Sequence, residues 1–441
     1  MEHEKRKKKQ LRKKMVITLF IIPIFIIIAL TLIFYAFGWR FDFHDKKLYL
    51  SSVLYINTQP MEAQVYLDNQ AIGQTKIARQ EVKPGDYNLK IVKDDFLPWE
   101  RIVTVPAYSV VEVDPYLFYQ NPQVQKEIKI QKFLATHNQT IIFMTNSIAT
   151  YCDLPCDKTK EIASVPPNFI NTFLTNNEVY FEYSDFYIAY NLNSQNSQKL
   201  LKQKDAEVQK TVFSDRGIYI LKSDNNLYQL TSQDSTLIQE KVKDITANSD
   251  WLFYLTTSGS LIARQDQNKT ISQNTITTTN FTDNQIQLSA TNLISYNDNI
   301  FLKQNNNYFL LTNNQAQYIS ADLKNYVSLD GYAAWMTDDG ELYFKNPENQ
   351  SPKFINRYFQ NPESILFFSP EYLILQYRDE IKIIEVSTKQ EFIILKPGQS
   401  LNYVYPGSET LLSLIDQNSI KNYKITEGAT FWQKILKIFR R

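Results

Sequence analysis

Apolar residues along this chain come first as one block and then in alternation. From Val16 to Phe37, 22 residues carry no charge and are mostly Ile, Leu, Phe and Val. As a helix rising about 1.5 Å per residue the block reaches roughly 33 Å, enough for a hydrocarbon core of about 30 Å. Beyond it the period falls to two. Val53, Tyr55 and Asn57 alternate with Leu54 and Ile56, and Gln64-Val65-Tyr66-Leu67 repeats the pattern, as half-buried strands do. Further runs cover Asp86 to Val92, Glu100 to Val105 and Ser109 to Val113, with turn residues at Asp68-Asn69, Gly73 and Pro84-Gly85. Pro presets the second position of a tight turn and Gly supplies the positive φ that follows. The pattern predicts a small sandwich of about six short strands over residues 51–119.

Past a linker over 120–132, a weak repeat fills residues 133–427. The central strands of its units, marked by Ile141, Val179, Ile218, Leu252, Ile300, Ala333, Leu373 and Leu411, lie 38, 39, 34, 48, 33, 40 and 38 residues apart. A four-stranded propeller blade takes roughly 40–45 residues. Hairpin signals recur at matching places, as Ser223-Asp224-Asn225-Asn226, Thr257-Ser258-Gly259 and Asp338-Asp339-Gly340. Each unit pairs apolar strands that it cannot cover alone, so stacking around an axis buries the faces. The expected fold is mainly β: an N-terminal transmembrane helix, a β-sandwich, a 7- or 8-bladed β-propeller and a short C-terminal amphipathic helix. One outer strand taken from the opposite end would close the ring. The competing arrangement is a pair of β-sandwiches, because no WD or kelch signature repeats.

Charge gives the apolar block a direction. Lys5, Arg6, Lys7, Lys8, Lys9, Arg12, Lys13 and Lys14 precede it against only Glu2 and Glu4, which holds residues 1–14 in the cytoplasm and sends the rest out. A cleaved signal peptide shares the basic start, but its apolar region runs only about 7 to 15 residues. The block therefore reads as an uncleaved signal anchor over 15–37, with Tyr35 and Trp39 at the interface and a juxtamembrane linker over 38–50. The overall charge of +1 sums a basic head, a basic tail and a mildly acidic body. Such a body is a poor nucleic-acid binder, since that affinity comes mainly from cations meeting phosphates.

Between residues 51 and 119 the turns follow a known order. Leu54-Tyr55-Ile56-Asn57, Pro60-Met61-Glu62-Ala63, Val65-Tyr66-Leu67-Asp68, Gly73-Gln74-Thr75, Pro84-Gly85-Asp86-Tyr87, Val92-Lys93 and Pro98-Trp99 resemble the PEGA domain, named for a Pro-Glu-Gly-Ala tetrapeptide between its first two strands. The chain departs from it in three places: Met61-Glu62 replaces Glu-Gly, Lys76 stands where a Pro often follows the Thr, and Asp95-Phe96 replaces a usual Gly-Tyr. The resemblance implies a small β-sandwich of envelope and surface proteins, with roles in protein or glycan contact and no catalysis. Pro60, Glu62, Ala63, Gly73, Thr75, Pro84, Gly85 and Trp99 are its structural turn residues.

Candidate chemistry is sparse. His3, His44 and His137 are the only histidines, so a His-based metal site or triad in the main domain would depend on His137 alone. Cys152 and Cys156 flank Asp153-Leu154-Pro155; outside the cytoplasm they can close a small disulfide loop, and two thiols fall short of a structural zinc site. Asp338, Asp339 and Glu341 could supply the acid pair of a glycosidase, although adjacency in a hairpin favours a solvated turn. At 428–441, Phe431, Trp432, Ile435, Leu436 and Phe439 share one helical face while Lys434, Lys437, Arg440 and Arg441 spread over the other. Two readings stay open for that helix: contact with an anionic membrane surface, or docking on the propeller.

The expectation is a non-enzymatic, membrane-anchored, extracytoplasmic binding or scaffold protein without a cofactor. Its partners would be membrane lipid, contacted through the anchor, Trp39, Phe431, Trp432, Lys434, Lys437 and Arg440, and an envelope protein or glycan. A surface-polysaccharide hydrolase or lyase and an envelope sensor or assembly factor are the alternatives.

Overall fold

The computed structural model describes residues 21–42, 46–75, 78–162, 165–201, 208–232, 234–267, 270–276, 291–296, 299–312, 315–348, 351–396, 403–406 and 410–427. They fall into two units, one ending at Gln120 and rejoined by the chain from Thr426, the other spanning Asn121–Ile425.

In the first unit, residues 21–36 are helical. The basic head and the first part of the apolar block lie outside the described residues. Along the helix, Ile21, Phe25, Ile27, Leu32 and Tyr35 are all more than half exposed. Among the described residues no helix is long and apolar enough to cross a membrane. The helix stops at Gly38, whose φ of +84° suits the left-handed residue that commonly ends a helix, and whose amide donates to the Tyr35 carbonyl at 3.1 Å.

The segment read as a linker over 38–50 is instead a docked hairpin of β1 (Trp39–Asp42) and β2 (Lys47–Leu50), pairing Trp39 with Leu50 and Phe41 with Leu48. Its alternating aromatic and polar residues are a strand pattern too short to stand out beside the apolar block. The Gly38 carbonyl accepts from Ser51 N at 2.8 Å and Ser51 Oγ at 3.0 Å, and Asp42 pairs with Lys83. Trp39 is half-buried, with its ring edge-on to Phe34 at 6.3 Å.

Seven strands follow: β3 (Ser52–Ile56), β4 (Ala63–Leu67), β5 (Gln70–Thr75), β6 (Ala78–Val82), β7 (Gly85–Val92), β8 (Trp99–Val105) and β9 (Val110–Val113). They form a three-stranded sheet ordered β6-β3-β9 and a four-stranded sheet ordered β5-β4-β7-β8. Alternation puts Leu54 and Ile56 of β3, Val65 of β4, Leu89 and Ile91 of β7 and Trp99 of β8 wholly inside. The tetrapeptide turn is tied down by buried hydroxyls: Thr58 and Thr75 share a 2.6 Å hydrogen bond, and Ala63 N donates to Thr75 Oγ1 at 2.9 Å. Lys93 Nζ caps the Met61 carbonyl at 2.8 Å. Where the PEGA pattern has glycine, this chain holds Glu62 at φ +63° and Asp95 at φ +68°, both in the left-handed region. The chain's return closes on the same unit, with Thr426 Oγ1 donating to the Leu117 carbonyl at 2.6 Å and Tyr119 OH to Glu427 at 2.8 Å.

The second unit is a propeller-like ring. Among the described residues it contains eight four-stranded antiparallel sheets, here called blades. Blades 1 to 7 begin with Lys132–His137, Asn171–Leu174, Val208–Ser214, Val242–Ala247, Thr291–Tyr296, Leu323–Leu329 and Ser364–Ser369, and blade 8 with Tyr403–Pro406. First strands contact one another between blades 1 and 2 and from blade 3 through blade 8, which places them on the inside of the ring, whereas fourth strands such as Ser197–Leu201 are mostly exposed. All eight residues that mark the repeat sit on second strands, from Ile141 in Thr140–Thr145 to Leu411 in Leu411–Ile415. Those strands are apolar on both faces because each blade is covered by a neighbour on either side. Tyr372–Gln376, for example, is buried at every position.

The segment 120–132, read as a linker, contains β10 (Gln123–Lys129), which pairs with Ser419–Lys424 as the outer strand of blade 8. The ring therefore closes with a strand from the opposite end. At this seam Ile130, Ile141, Phe143, Ile415 and Ile420 share one apolar cluster with Cys152 and Cys156, which are disulfide-bonded. Lys126 Nζ and Asn422 Nδ2 of blade 8 donate to the Cys156 and Pro155 carbonyls of that loop in blade 1. The helix expected over 428–441, with Phe431, Trp432, Lys434, Lys437 and Arg440, lies outside the described residues.

Candidate binding face at the channel mouth

Inner strands that run the same way around a ring leave an axial channel with two distinct ends. The end reached by the C-terminal residues of the inner strands is a cavity of about 530 Å³, lined by Thr136, Thr172, Thr211, Thr246, Ser249 and Ser295 among others. Phe173 and Phe213 also line it, with their rings stacked 4.0 Å apart at 13°. Thr172 Oγ1 is cut off from solvent and has no hydrogen-bond partner among the described residues.

The turns that follow the inner strands brace this rim. Asp215, in the turn of blade 3, accepts from Thr175 Oγ1 and, at 2.9 and 2.8 Å, from the backbone and side-chain nitrogens of Asn177 in blade 2. Its own amide donates to the Ser249 carbonyl of blade 4 at 3.0 Å. Asn138 of blade 1 donates to Asn176 of blade 2 at 2.7 Å. Nearby, burial raises the pKa of the Glu178 carboxyl above its ordinary value; the Asn191 amide, 2.7 Å away, offsets part of this and the Asp215 charge adds to it. Buried Tyr180 donates to the Ser214 carbonyl at 2.7 Å, and its own pKa is likewise raised, first by burial.

His137 sits on this rim with Nε2 3.4 Å from Ser249 Oγ, so the histidine singled out in the sequence belongs to a hydrogen-bonding mouth. Among the described residues there is no group of three or more His, Cys, Asp or Glu placed to hold a metal ion. Asp338 and Asp339 are exposed in a hairpin turn and Glu341 accepts from Tyr343 at 2.8 Å. None of these three acids lines the mouth. Among the PEGA-like residues, Ala63, Thr75 and Trp99 are fully buried in the sandwich and serve its packing.

Sequence reasoning missed Asp215, Glu178 and the interblade turns. A signal was present: Asn138, Asn177, Asp215, Asn248 and Asp330 recur just after inner strands of blades 1, 2, 3, 4 and 6, the residue type that bonds its own turn and tolerates a left-handed backbone.

The ring and its polar mouth define a mainly β, propeller-like fold. Residues 51–118 match the PEGA domain. No curated protein matches the chain in sequence. Among solved structures, the chain is similar to the computationally designed Ika8 protein, with a TM-score of 0.42 and 10% identity over 67% of this chain and 96% of that one. It is also similar to BamB from Moraxella catarrhalis, with a TM-score of 0.42 and 8% identity over 69% and 99%. For the WD40 domain of SCAP from fission yeast the TM-score is 0.38 and the identity 12% over 71% and 98%. At these scores the ring assignment rests on the strand order and its closure.

Proposed function

We propose that this chain is a membrane-tethered interaction scaffold of the cell envelope, whose ring offers the turn-side channel mouth to a protein partner. The observation that carries the partner half is the mouth itself: hydroxyls, a stacked aromatic pair and a shielded, unpaired Thr172 Oγ1 around one recess. Such a surface suits an uncharged, hydrogen-bonding segment such as an extended peptide. Support for the tether comes from the exposed apolar side chains of residues 21–37, which cost free energy in water at about 25 cal/mol per Å², and from the cations that precede them.

The test has two arms. Full-length chain should resist extraction from membranes by alkaline carbonate, and a chain lacking residues 1–37 should be released; release of both refutes the tether. Full-length protein purified in detergent should capture an envelope protein that a Thr172→Val, Phe213→Ala variant loses at least about tenfold. Equal capture by the variant removes the mouth from the interaction, and release of sugars from envelope glycan would favour an enzyme.

A further inference from the structure

The hairpin of β1 and β2 is built inside out. In an antiparallel pair, residues directly opposite each other share a face. Trp39, Phe41, Leu48 and Leu50 therefore make one face, and Arg40, Asp42, Lys47 and Tyr49 the other. The polar face is the one that meets protein. Asp42 pairs with Lys83 of the sandwich, whose ammonium also lies 5.7 Å from the centre of the Tyr49 ring, and Arg40 Nη1 donates to the Tyr35 carbonyl at 2.8 Å. On the apolar face, Phe41 is 48% and Leu48 64% exposed. Antiparallel sheets in water commonly do the reverse, with apolar residues turned in and polar ones out. A two-stranded hairpin is marginal in water by itself, and apolar area left there costs about 25 cal/mol per Å². The outward face therefore calls for surroundings less polar than water.

The neighbouring helix indicates which surroundings. Phe37, at its end, is 61% exposed, and the Phe34 ring meets Trp39 edge-on at 6.3 Å. The apolar face of the hairpin thus continues the exposed apolar surface of residues 21–37. A protein partner seated on the hairpin would leave the helix side chains in water, whereas a bilayer covers both. Tyr35, Trp39 and Arg40 are residue types that stand at headgroup level, and the Arg40 guanidinium lies 3.8 Å from the centre of the Tyr35 ring.

We propose that the β1–β2 hairpin lies in the membrane interface, with Trp39, Phe41, Leu48 and Leu50 among lipid headgroups and upper acyl chains, as a second lipid contact beyond the helix. This deepens the tether proposed above and rests on it. The Gly38 carbonyl is held by Ser51, and Asp42 by Lys83. The hairpin therefore sets the attitude of the sandwich over the bilayer, where a free linker would leave it to swing.

The chain's two cysteines are bonded to each other, so a single introduced cysteine can carry a nitroxide. Full-length Ile28→Cys, Lys47→Cys, Leu48→Cys and Ile102→Cys variants are labelled and reconstituted into vesicles of phosphatidylcholine and phosphatidylglycerol. Each label is read by its collisions with oxygen, which enters hydrocarbon, and with a nickel chelate, which stays in water. Ile102, 73% exposed on the sandwich, is the apolar control, and Lys47 reports the opposite face of the hairpin. The ratio of oxygen to nickel collisions should be at least about threefold higher at position 48 than at 47 or 102, for side chains about 5–10 Å into the interface. It should be highest at 28. Equal ratios at 47 and 48, or a water-like ratio at 48 with a hydrocarbon-like one at 28, overturn the hairpin and leave the tether standing. Water-like ratios at both 28 and 48 overturn the tether and the hairpin together. Loss of both kinds of collision at 48 means that protein covers the face, a second copy or residues 428–441, and also overturns the proposal.

Discussion

The sandwich and the ring meet the same need, covering an apolar sheet face, by opposite means. The sandwich closes two sheets once, over a single core that includes Trp99, and relies on a few special backbone positions such as Glu62 and Asp95. In the ring the apolar clusters are shared between neighbours, as in blades 1 and 2 or 6 and 7, so each blade is stabilised from two sides. Only the seam is singular, where the disulfide loop of blade 1 meets the closing blade. A repeat of this kind spreads its stability over many interfaces, whereas a small sandwich concentrates it in few residues. Damage should therefore be local in the ring and total in the sandwich.

The largest expected separation is with alkali. In the ring, burial first of all holds the hydroxyls of Tyr183, Tyr187 and Tyr326 at about 12, above the ordinary 10.0; in the first unit Tyr119 is at about 12, by burial and then its bond to Glu427. A pKa raised on folding means the folded state keeps its proton longer. The associated stability is complete below pH 10 and is lost as pH rises from 10 towards 12. The urea midpoint of the ring should fall between about pH 10 and 12, and more steeply than that of the sandwich. Tyrosinate absorbance appearing before unfolding would show that these hydroxyls are not protected.

Next comes Trp99→Ala. A fully buried Trp replaced by Ala costs about 3–5 kcal/mol, a large fraction of what a domain of this size possesses at about 0.05–0.15 kcal/mol per residue. Limited proteolysis should then cut between residues 51 and 119 while the ring stays resistant; cleavage throughout would mean that the two units do not fold separately. Gly340→Ala carries the comparison into one blade. Gly340 has φ +81°, and a Cβ there would run into the Tyr358 carbonyl and Asn361 Oδ1, for about 2–4 kcal/mol. Hydrogen exchange should rise in blade 6 and its neighbours and stay unchanged in blade 2. At the seam, Cys152→Ser, Cys156→Ser should lower stability by about 2 kcal/mol, the chain-entropy value for so short a loop. Exchange should rise in blades 1 and 8 together, because the loop carbonyls are held by Lys126 and Asn422; a rise in blade 1 alone would count against the seam.

Legibility in the sequence followed period and repetition. The eight markers all lie on second strands because a strand buried on both faces is a dense apolar run, visible without knowing what covers it. Closure by one strand from the far end was also foreseeable, yet β10 hides in a segment of Gln and Lys, because an outer blade strand needs only half an apolar face. The hairpin of β1 and β2 was hidden for a similar reason, being held by single contacts such as Ser51 to Gly38. The mouth was the least legible: Asp215, Asn177 and Ser249 come from three blades, and the channel forms only when inner strands converge. Asp244, buried on the inner strand of blade 4, looks like any surface acid until its three donors, Lys210 Nζ of blade 3, Ile245 N of its own strand and Leu293 N of blade 5, are in view.

The smallest expected effect is the most pointed test of the sandwich's dependence on special positions. Glu62 occupies the glycine place of the tetrapeptide with φ +63°, and its amide donates to the Thr75 carbonyl, so the turn cannot relax without losing that pairing. A non-glycine residue in this conformation costs about 1–2 kcal/mol. Glycine would remove that cost but give back about 0.4–1 kcal/mol through a freer unfolded chain, for a net gain of roughly 0.5 kcal/mol. Asp95→Gly should gain less, because Asp tolerates the left-handed region better than Glu. Glu62→Val should lose stability, since a branched side chain fits positive φ worst. Urea unfolding of the sandwich should rank these variants Glu62→Gly, Asp95→Gly, unmodified chain, Glu62→Val. A loss of stability in Glu62→Gly would show that the carboxylate itself makes a contact the turn needs, and the departure from the PEGA pattern would then be a gain of interaction instead of a tolerated strain.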